Sequence, residues 1–297
     1  MAPLVIIAFN RPELLRSQLD IVRRCHRGSI LCVVDGPRST KAGEAEKVVE
    51  VMKLLDDLKQ HFEVRLNVAE TNLGCYRRIK TGLDWVFSVT DKAIILEDDC
   101  VPSQDFFPFA NQMLERYDGD DRMFSITGTN LFPEITAHGH SHFFSRYHTC
   151  WGWATWARAW EHFIDLQGEW EKIRGTAEFR SLFRNLRSFL YWRLVFDRVY
   201  EQRLNSWAYR WMLTCWMQSG LSVNPHVNLV TNVGDGADAT HTTRSKFTQR
   251  RLGEMHWPSF DPSFVIPNAA FDAKMEDVVY SKSVLNRVRW CFGIPGN

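Results

Sequence analysis

Short apolar, β-branched runs alternate in the first half of the chain with longer stretches whose apolar residues recur every three or four positions. The runs predict strands over 4–9, 30–35, 63–67, 93–97 and 122–127, and the spaced pattern predicts helices between them. After the first strand, Asn10 is placed to cap a helix, Pro12 suits its first turn and Glu13 stands at capping-box spacing. Leu14, Leu15, Leu19, Ile21 and Val22 supply that helix with a buried face. Residues 41–60 read as a charged amphipathic helix, and 74–89 as another after the turn Asn72-Leu73-Gly74. Strands alternating with helices give an α/β fold class, a mostly parallel central sheet flanked by helices.

From about residue 130 the pattern changes. Pro133, Gly139 and the histidines 138, 140, 142 and 148 lie in a stretch without a period, read as a loop. Nine of the twelve Trp fall between 151 and 216, along helical patterns rich in Arg, Phe and Leu, and most of these aromatics are expected in the core. After Pro225 the chain reads as irregular. The expected organisation is one domain over 1–245, with halves 1–130 and 131–245, and an extension over 246–297.

Composition narrows the partners more than the fold. Lys and Arg (36) nearly balance Asp and Glu (35), which gives no global reason to expect nucleic acid. The seven Cys are an odd number without a CxxC pair, which disfavours a disulfide framework or a structural zinc site and suits reduced, cytoplasmic thiols. The histidines at 138, 140, 142 and 148 lack the spacing of a zinc site. The run Leu4–Phe9 is too short for a signal segment, and no stretch approaches the roughly 20 apolar residues that span a bilayer. A soluble protein is expected, at most peripheral to a membrane face.

The chemistry gathers at strand ends. Ile94-Ile95-Leu96 stops in Glu97-Asp98-Asp99, and in open α/β sheets ligands bind beyond the carboxyl ends of strands. Three adjacent carboxylates repel unless a cation neutralises them, and Mg²⁺ or Mn²⁺ does so while leaving positions for phosphate oxygens. The alternative is an acidic helix N-terminus favoured by the dipole. Asp35 ends the second strand and is a candidate to accept a hydrogen bond from a nucleobase, or a turn Asp before Gly36. Arg11, just past the first strand, is a candidate phosphate ligand, or a solvated side chain.

Leu96-Glu97-Asp98-Asp99-Cys100-Val101-Pro102-Ser103-Gln104-Asp105-Phe106-Phe107 resembles the variant DxD motif and following helix of GT-A glycosyltransferases, of the family 2 and N-acetylglucosaminyltransferase I types. The resemblance runs from residue 3 to about 243. It implies a nucleotide-binding half and an acceptor-binding half, a UDP-linked sugar donor, Mn²⁺ or Mg²⁺, and a glycan or glycolipid acceptor. By it, Phe9, Asn10 and Arg11 form the first nucleotide-binding turn, Asp35 contacts the base, and Arg78 is a further donor-site position. Glu97 and Asp98 face the nucleoside and sugar-phosphate side, Asp99 ligates the metal directly, and His241 reaches the metal or diphosphate from the far side. Trp151-Gly152-Trp153-Ala154-Thr155-Trp156 is similar to the glycine-containing acceptor loop, beside which aromatics outside the core would form a sugar platform.

Inverting transfer needs a carboxylate to deprotonate the acceptor hydroxyl. The family places it at the start of a late helix, matching 205–211, but Ala208 stands where an Asp is expected. Asp238, with Asp235 second, is the expected replacement; Asp197 and Glu201 also lie near and read as solvated helix residues. A catalytically degenerate nucleotide-sugar or glycan binder is the alternative this raises. A nucleotidyltransferase is disfavoured by the lack of a Gly-rich, Lys-containing phosphate loop, and a dinucleotide oxidoreductase by the lack of GxGxxG.

Overall fold

A computed structural model describes residues 1–136, 139–234 and 247–280. The chain runs β1 (Leu4–Ala8), α1 (Pro12–Cys25), β2 (Ile30–Val34), α2 (Glu44–Asp56) with a 3₁₀ turn (Asp57–Gln60), β3 (Val64–Val68), α3 (Cys75–Phe87), β4 (Lys92–Glu97), β5 (Cys100–Pro102), α4 (Phe106–Arg116) and β6 (Met123–Thr127). It continues through α5 (Pro133–Thr136), β7 (His142–Ser145), β8 (Trp153–Trp156), α6 (Ala157–Trp160), α7 (Leu166–Ile173), α8 (Ala177–Ser181), α9 (Leu186–Tyr200) and α10 (Trp207–Met217). Last come β9 (Leu221–Pro225), β10 (Val230–Asn232), α11 (Ala269–Lys274) and a π-helical turn (Met275–Tyr280).

Eight strands form one sheet in the order β3-β2-β1-β4-β8-β6-β9-β7, and β10 pairs with β5 in a second. β1 is parallel to β2 and β4, β2 to β3, and β6 to β9; β8 runs antiparallel between β4 and β6, and β7 antiparallel on β9. The α/β class with a large, mostly parallel central sheet flanked by helices is therefore the one observed. From β1 the chain builds outward through β2 and β3, then returns to lay β4 on the other side of β1. The reversal makes the β1–β4 seam the topological switch point, where neighbouring loops diverge and leave a crevice.

Alternation along β1 explains the layers. Leu4 and Ile6 pack on one face with Leu15 and Leu19 of α1 and Phe106 and Phe109 of α4. Val5 and Ile7 point the other way, to Ile79 and Leu83 of α3 and Trp207 and Trp211 of α10. A third core, off the sheet, joins Trp170, Phe179, Trp192, Phe196 and Trp216 of the helical half. Residues 247–280 add Phe247, Phe271 and Met275 to it, so the described part of the C-terminal segment is packed.

Several local expectations are corrected. Asn10 does not cap α1: Arg11 holds that position, no side chain caps the helix, and Asn10 Nδ2 donates to Glu44 Oε1 at 2.9 Å. Pro12 starts the helix as expected, having no N–H to satisfy. The helix placed over 41–60 begins only at Glu44, because Gly43 is left-handed (φ 76°). The stretch read as loop contains β7, and the Trp-rich stretch read as helical contains β8.

One close approach tests this packing. A Cβ on Gly82 of α3 would collide with the β-branched Val33 of β2. Gly82→Ala gains about 1 kcal/mol of helix propensity but overpacks a rigid contact at a cost of about 1–3 kcal/mol. Urea denaturation should show a net loss of about 1 kcal/mol, whereas Gly119→Ala, with open space around its Cβ position, should be neutral.

Candidate active site at the β1–β4 seam

The apolar run of β4 ends in Glu97, and a tight turn delivers Asp98 and Asp99 before β5 begins at Cys100. Gln18, fully buried on α1, fixes this turn by donating through Nε2 to the carbonyls of Glu97 (2.6 Å) and Cys100 (2.7 Å). The acids are not a helix N-terminus: α4 starts only at Phe106, behind β5, and its N-cap residue is Asp105. That alternative is set aside.

Arg11, leaving the neighbouring strand β1, meets the acids across the seam. Its Nη1 donates to Asp99 Oδ2 at 2.9 Å and its Nη2 to Asp98 Oδ1, while Phe9 N donates to Asp98 Oδ2 at 3.2 Å. Asp98 is 2% exposed, Asp99 15% and Arg11 20%. Burial opposes the charge of Arg11, but the facing carboxylates outweigh it and raise its pKa. Glu97 has no such partner. Burial, then Asp99, pushes its carboxyl up to about 8 against the opposing pull of Arg11, and the side chain of Trp207 from α10 hydrogen-bonds to it. Burial also raises Asp98, with Arg11 and the Phe9 N–H holding it down.

Asp35, at the end of β2, is buried and fully engaged. Its Oδ1 accepts from Gly36 N and Leu73 N, both at 2.9 Å, and its Oδ2 from Asn72 Nδ2 and Gly74 N, both at 3.0 Å. It thus anchors the loop that launches α3, and a nucleobase contact would have to share these lone pairs. Burial raises its pKa against those donors. Arg78, on the first turn of α3 and 4% exposed, donates to the carbonyl and side chain of Asn67 at 2.5 and 2.7 Å, and its Nε is without a hydrogen-bond partner. Its charge is opposed by burial and favoured by Asp35.

The far wall is β10, paired to β5 through Val230–Pro102 and Asn232–Cys100. Gly152, left-handed at φ 66°, lies against it, where a Cβ would stand 2.6 Å from Val230 Cγ2. Of the nine Trp between 151 and 216 only Trp151 is not buried, and it packs at once against the sheet core and the helical core. Trp153, Trp156, Trp207 and Trp211 are interior and cannot serve as a platform.

Val233 N donates to Asp99 O at 2.9 Å, and Gly234 stands against the Asp99 carboxylate so closely that a Cβ there would clash with Oδ2. Asp235, Asp238 and His241 lie outside the described residues. The other two candidate bases are engaged elsewhere: Asp197 accepts from Trp170 Nε1 at 2.8 Å, and Glu201 pairs with Arg203. Ala208 sits in the first turn of α10, next to the Trp207 that meets Glu97.

Among the described residues no three His, Cys, Asp or Glu side chains converge as a metal cage. Asp98 and Asp99 do converge, on one guanidinium. Mg²⁺-type ions are held by one or two carboxylates, with substrate phosphates and water completing the shell. The pair fits a metal carried in with a diphosphate and does not fit one caged by protein alone. His142 and His148 are buried, bonded to Tyr117 and Ser125, with pKa values lowered to about 3 by burial. A cavity of about 210 Å³ beside His142, Phe144 and Phe264 opens on β7, four strands from β4, and contains none of the acids.

No family model matches the chain, and no curated protein sequence does. Among solved structures it is similar to residues 1–349 of TarS from S. aureus (TM-score 0.47, 9% identity, covering 79% of this chain and 61% of that one). It is also similar to the mannosyltransferase PcManGT from Pyrobaculum calidifontis in complex with GDP-Man and Mn²⁺ (0.38, 12%, 73% and 68%). A third is a putative glucose-1-phosphate thymidylyltransferase from Bacillus anthracis (0.35, 12%, 56% and 76%). The chain thus spans less than two thirds of the first of these.

Two measurements check the site. Glu97 is raised in the fold from 4.5 to about 8, so its contribution to stability is full below pH 4.5 and is lost as pH rises through 8. With chelator present, wild type should lose stability relative to Glu97→Gln between pH 5 and pH 9; one unit of such a shift is about 1.4 kcal/mol, and parallel pH curves would refute the burial of an unpaired acid. Gln18→Leu strands two buried carbonyls at the acidic turn and should cost about 2–4 kcal/mol in urea denaturation, with hydrogen exchange rising first at residues 97–100.

Proposed function

We propose that the chain is a metal-dependent glycosyltransferase of the GT-A kind, moving a sugar with inversion from a UDP-linked donor to a hydroxyl of a glycan or glycolipid. The observation that carries this reading is the meeting of Arg11 with Asp98 and Asp99 at the carboxyl ends of two parallel strands, at the topological switch of the sheet. Phosphate-matched cation and metal-matched carboxylates are thereby put into one crevice, the arrangement a nucleotide diphosphate with its divalent ion requires.

Asp99 and Asp98 would hold Mn²⁺ or Mg²⁺, with His241 as a third ligand, and the metal would offset the negative charge that develops on the departing diphosphate. Phe9, Asn10, Asp35 and Arg78 would line the nucleoside side and Glu97 the sugar-phosphate side. Trp151, the one part-buried Trp between 151 and 216, would lie along a sugar ring. The acceptor oxygen forms a bond to the anomeric carbon as the bond from that carbon to the diphosphate oxygen breaks. Its proton passes to a carboxylate, for which Asp238 is the first candidate and Asp235 the second. A glycolipid acceptor would bring the protein to a membrane as a peripheral partner, since no described helix is long and apolar enough to cross one.

A second reading has its own support. Ala208 leaves the first turn of α10 without an acid, and Asp197 and Glu201 are committed to other partners, which suits a binder of nucleotide sugars or glycans that does not turn them over.

One assay separates the readings. UDP-sugars incubated with protein and Mn²⁺ should release free UDP, with activity lost in Asp99→Ala and at least about 100-fold lower in Asp238→Asn, as expected for a general base. Pyrophosphate exchange would mark a nucleotidyltransferase instead. Calorimetric binding of UDP and Mn²⁺ without any product would mark the degenerate binder.

A further inference from the structure

We infer that Arg11 is a resident counter-ion of the acidic site, yielding to a divalent cation only when a diphosphate arrives with it, so that metal alone is rejected and metal and nucleotide enter as a pair. This rests on the reading of Asp98 and Asp99 as the metal-binding carboxylates.

The guanidinium is not beside the acids by chance of a long side chain. It bridges them, Nη1 on Asp99 Oδ2 and Nη2 on Asp98 Oδ1. A guanidinium cannot shed its proton, so it can leave the pair only by moving. Its backbone is held between the end of β1 and Pro12 at the start of α1, with Phe9 N bonded to Asp98 from the same turn. Arg11 can therefore swing its side chain but cannot carry its charge far.

Consider a divalent ion arriving by itself. To take the oxygens Asp98 Oδ1 and Asp99 Oδ2 it must break both ion pairs and leave a cation stranded next to it, in a site where 80% or more of each of the three side chains is screened from water. Like charges at that range in a partly dry site repel strongly. A diphosphate reverses the balance: it completes the metal shell with its own oxygens, and its remaining oxygens match the planar fork of the freed guanidinium. The exchange then replaces carboxylates by phosphate around Arg11, with no cation unpaired. By linkage the coupling is mutual, each ligand tightening the other by the same factor.

Part of any such coupling comes from direct metal–phosphate contact, so the discriminating quantity is the affinity for metal in the absence of nucleotide. Titration calorimetry of Mn²⁺ into the full chain, alone and with saturating UDP, should show binding at least about tenfold weaker without UDP, within the range usual for coupled sites. Arg11→Gln and Arg11→Met, both neutral, should bind Mn²⁺ alone about tenfold more tightly than wild type while binding UDP with Mn²⁺ less tightly. Arg11→Lys, which keeps the charge, should stay close to wild type for Mn²⁺ alone. Using two neutral variants guards against one that fails to fold. Equal affinity for Mn²⁺ alone in wild type and a folded neutral variant overturns the inference and leaves the proposed function standing. Absence of Mn²⁺ binding to every form, with or without UDP, overturns both.

Discussion

The contact between Arg11 and the pair Asp98–Asp99 is where the fold and the site become one problem. Strand ends carry these charges, and strand ends meet only because β1 and β4 are parallel neighbours in register, Ile7 opposite Glu97. The two strands are separated in sequence by two β–α units, so the contact exists only when the crossovers through β2, β3 and α3 have returned the chain to the other side of β1. Gln18 then ties α1 to the same turn from below. The acids are costly to bury: Asp98 is almost fully covered, and Glu97 lacks a cation of its own. A single guanidinium faces two carboxylates and leaves Glu97 without an ion-pair partner, and burial raises both Glu97 and Asp98.

Those features explain what was legible in the amino-acid sequence. β1, β2 and residues 93–96 of β4 are buried, so these positions are apolar without interruption and their ends are marked by the first polar residue. The acidic triplet stood out for the same reason, as an abrupt change of character at the end of Ile94-Ile95-Leu96. β8 did not, because Trp153-Ala154-Thr155-Trp156 is set as a strand by β4 and β6 on either side of it, partners that lie far away in the chain, from Thr127 opposite Trp153 to Lys92 opposite Trp156. β7 was hidden among the turn-forming residues around Gly139, and its strand character comes from docking on β9.

Side-chain roles were less legible than side-chain positions. Asn10 has the chemistry of a helix cap, but Glu44, thirty-four residues on, offers its amide a partner and Arg11 takes the cap position. Asp35 ends β2, where the resemblance implies a base-reading carboxylate, yet all four of its hydrogen bonds are supplied by Gly36 and the 72–74 loop. Nothing in the local sequence announces either partner. Gln18 is the converse case, a polar residue on the apolar face of α1, one turn from Leu15 and next to Leu19, and so a position where a helix of this kind would otherwise carry an aliphatic side chain. That break in the apolar stripe was the available signal that something polar lay beneath it.

Three ordinary settings of clustered acids do not describe this turn. Acids at a helix N-terminus are stabilised by the dipole and need no cation; here β5 intervenes, and α4 takes its first turn seven residues beyond Asp99. Acids on a surface loop would be solvated, but Asp98 and Asp99 are largely covered, with Phe9 N bonded to Asp98 and Val233 and Gly234 against Asp99. Acids kept for a structural ion pair need only as many carboxylates as cations, and the turn has one carboxylate more than Arg11 can bridge. An arrangement that is neither solvated, nor dipole-stabilised, nor internally neutral is stable only against the rest of the fold, which holds the turn through Gln18, Val233 and the pairing of β5 with β10. Under the proposed function, a further cation would complete that unbalanced charge.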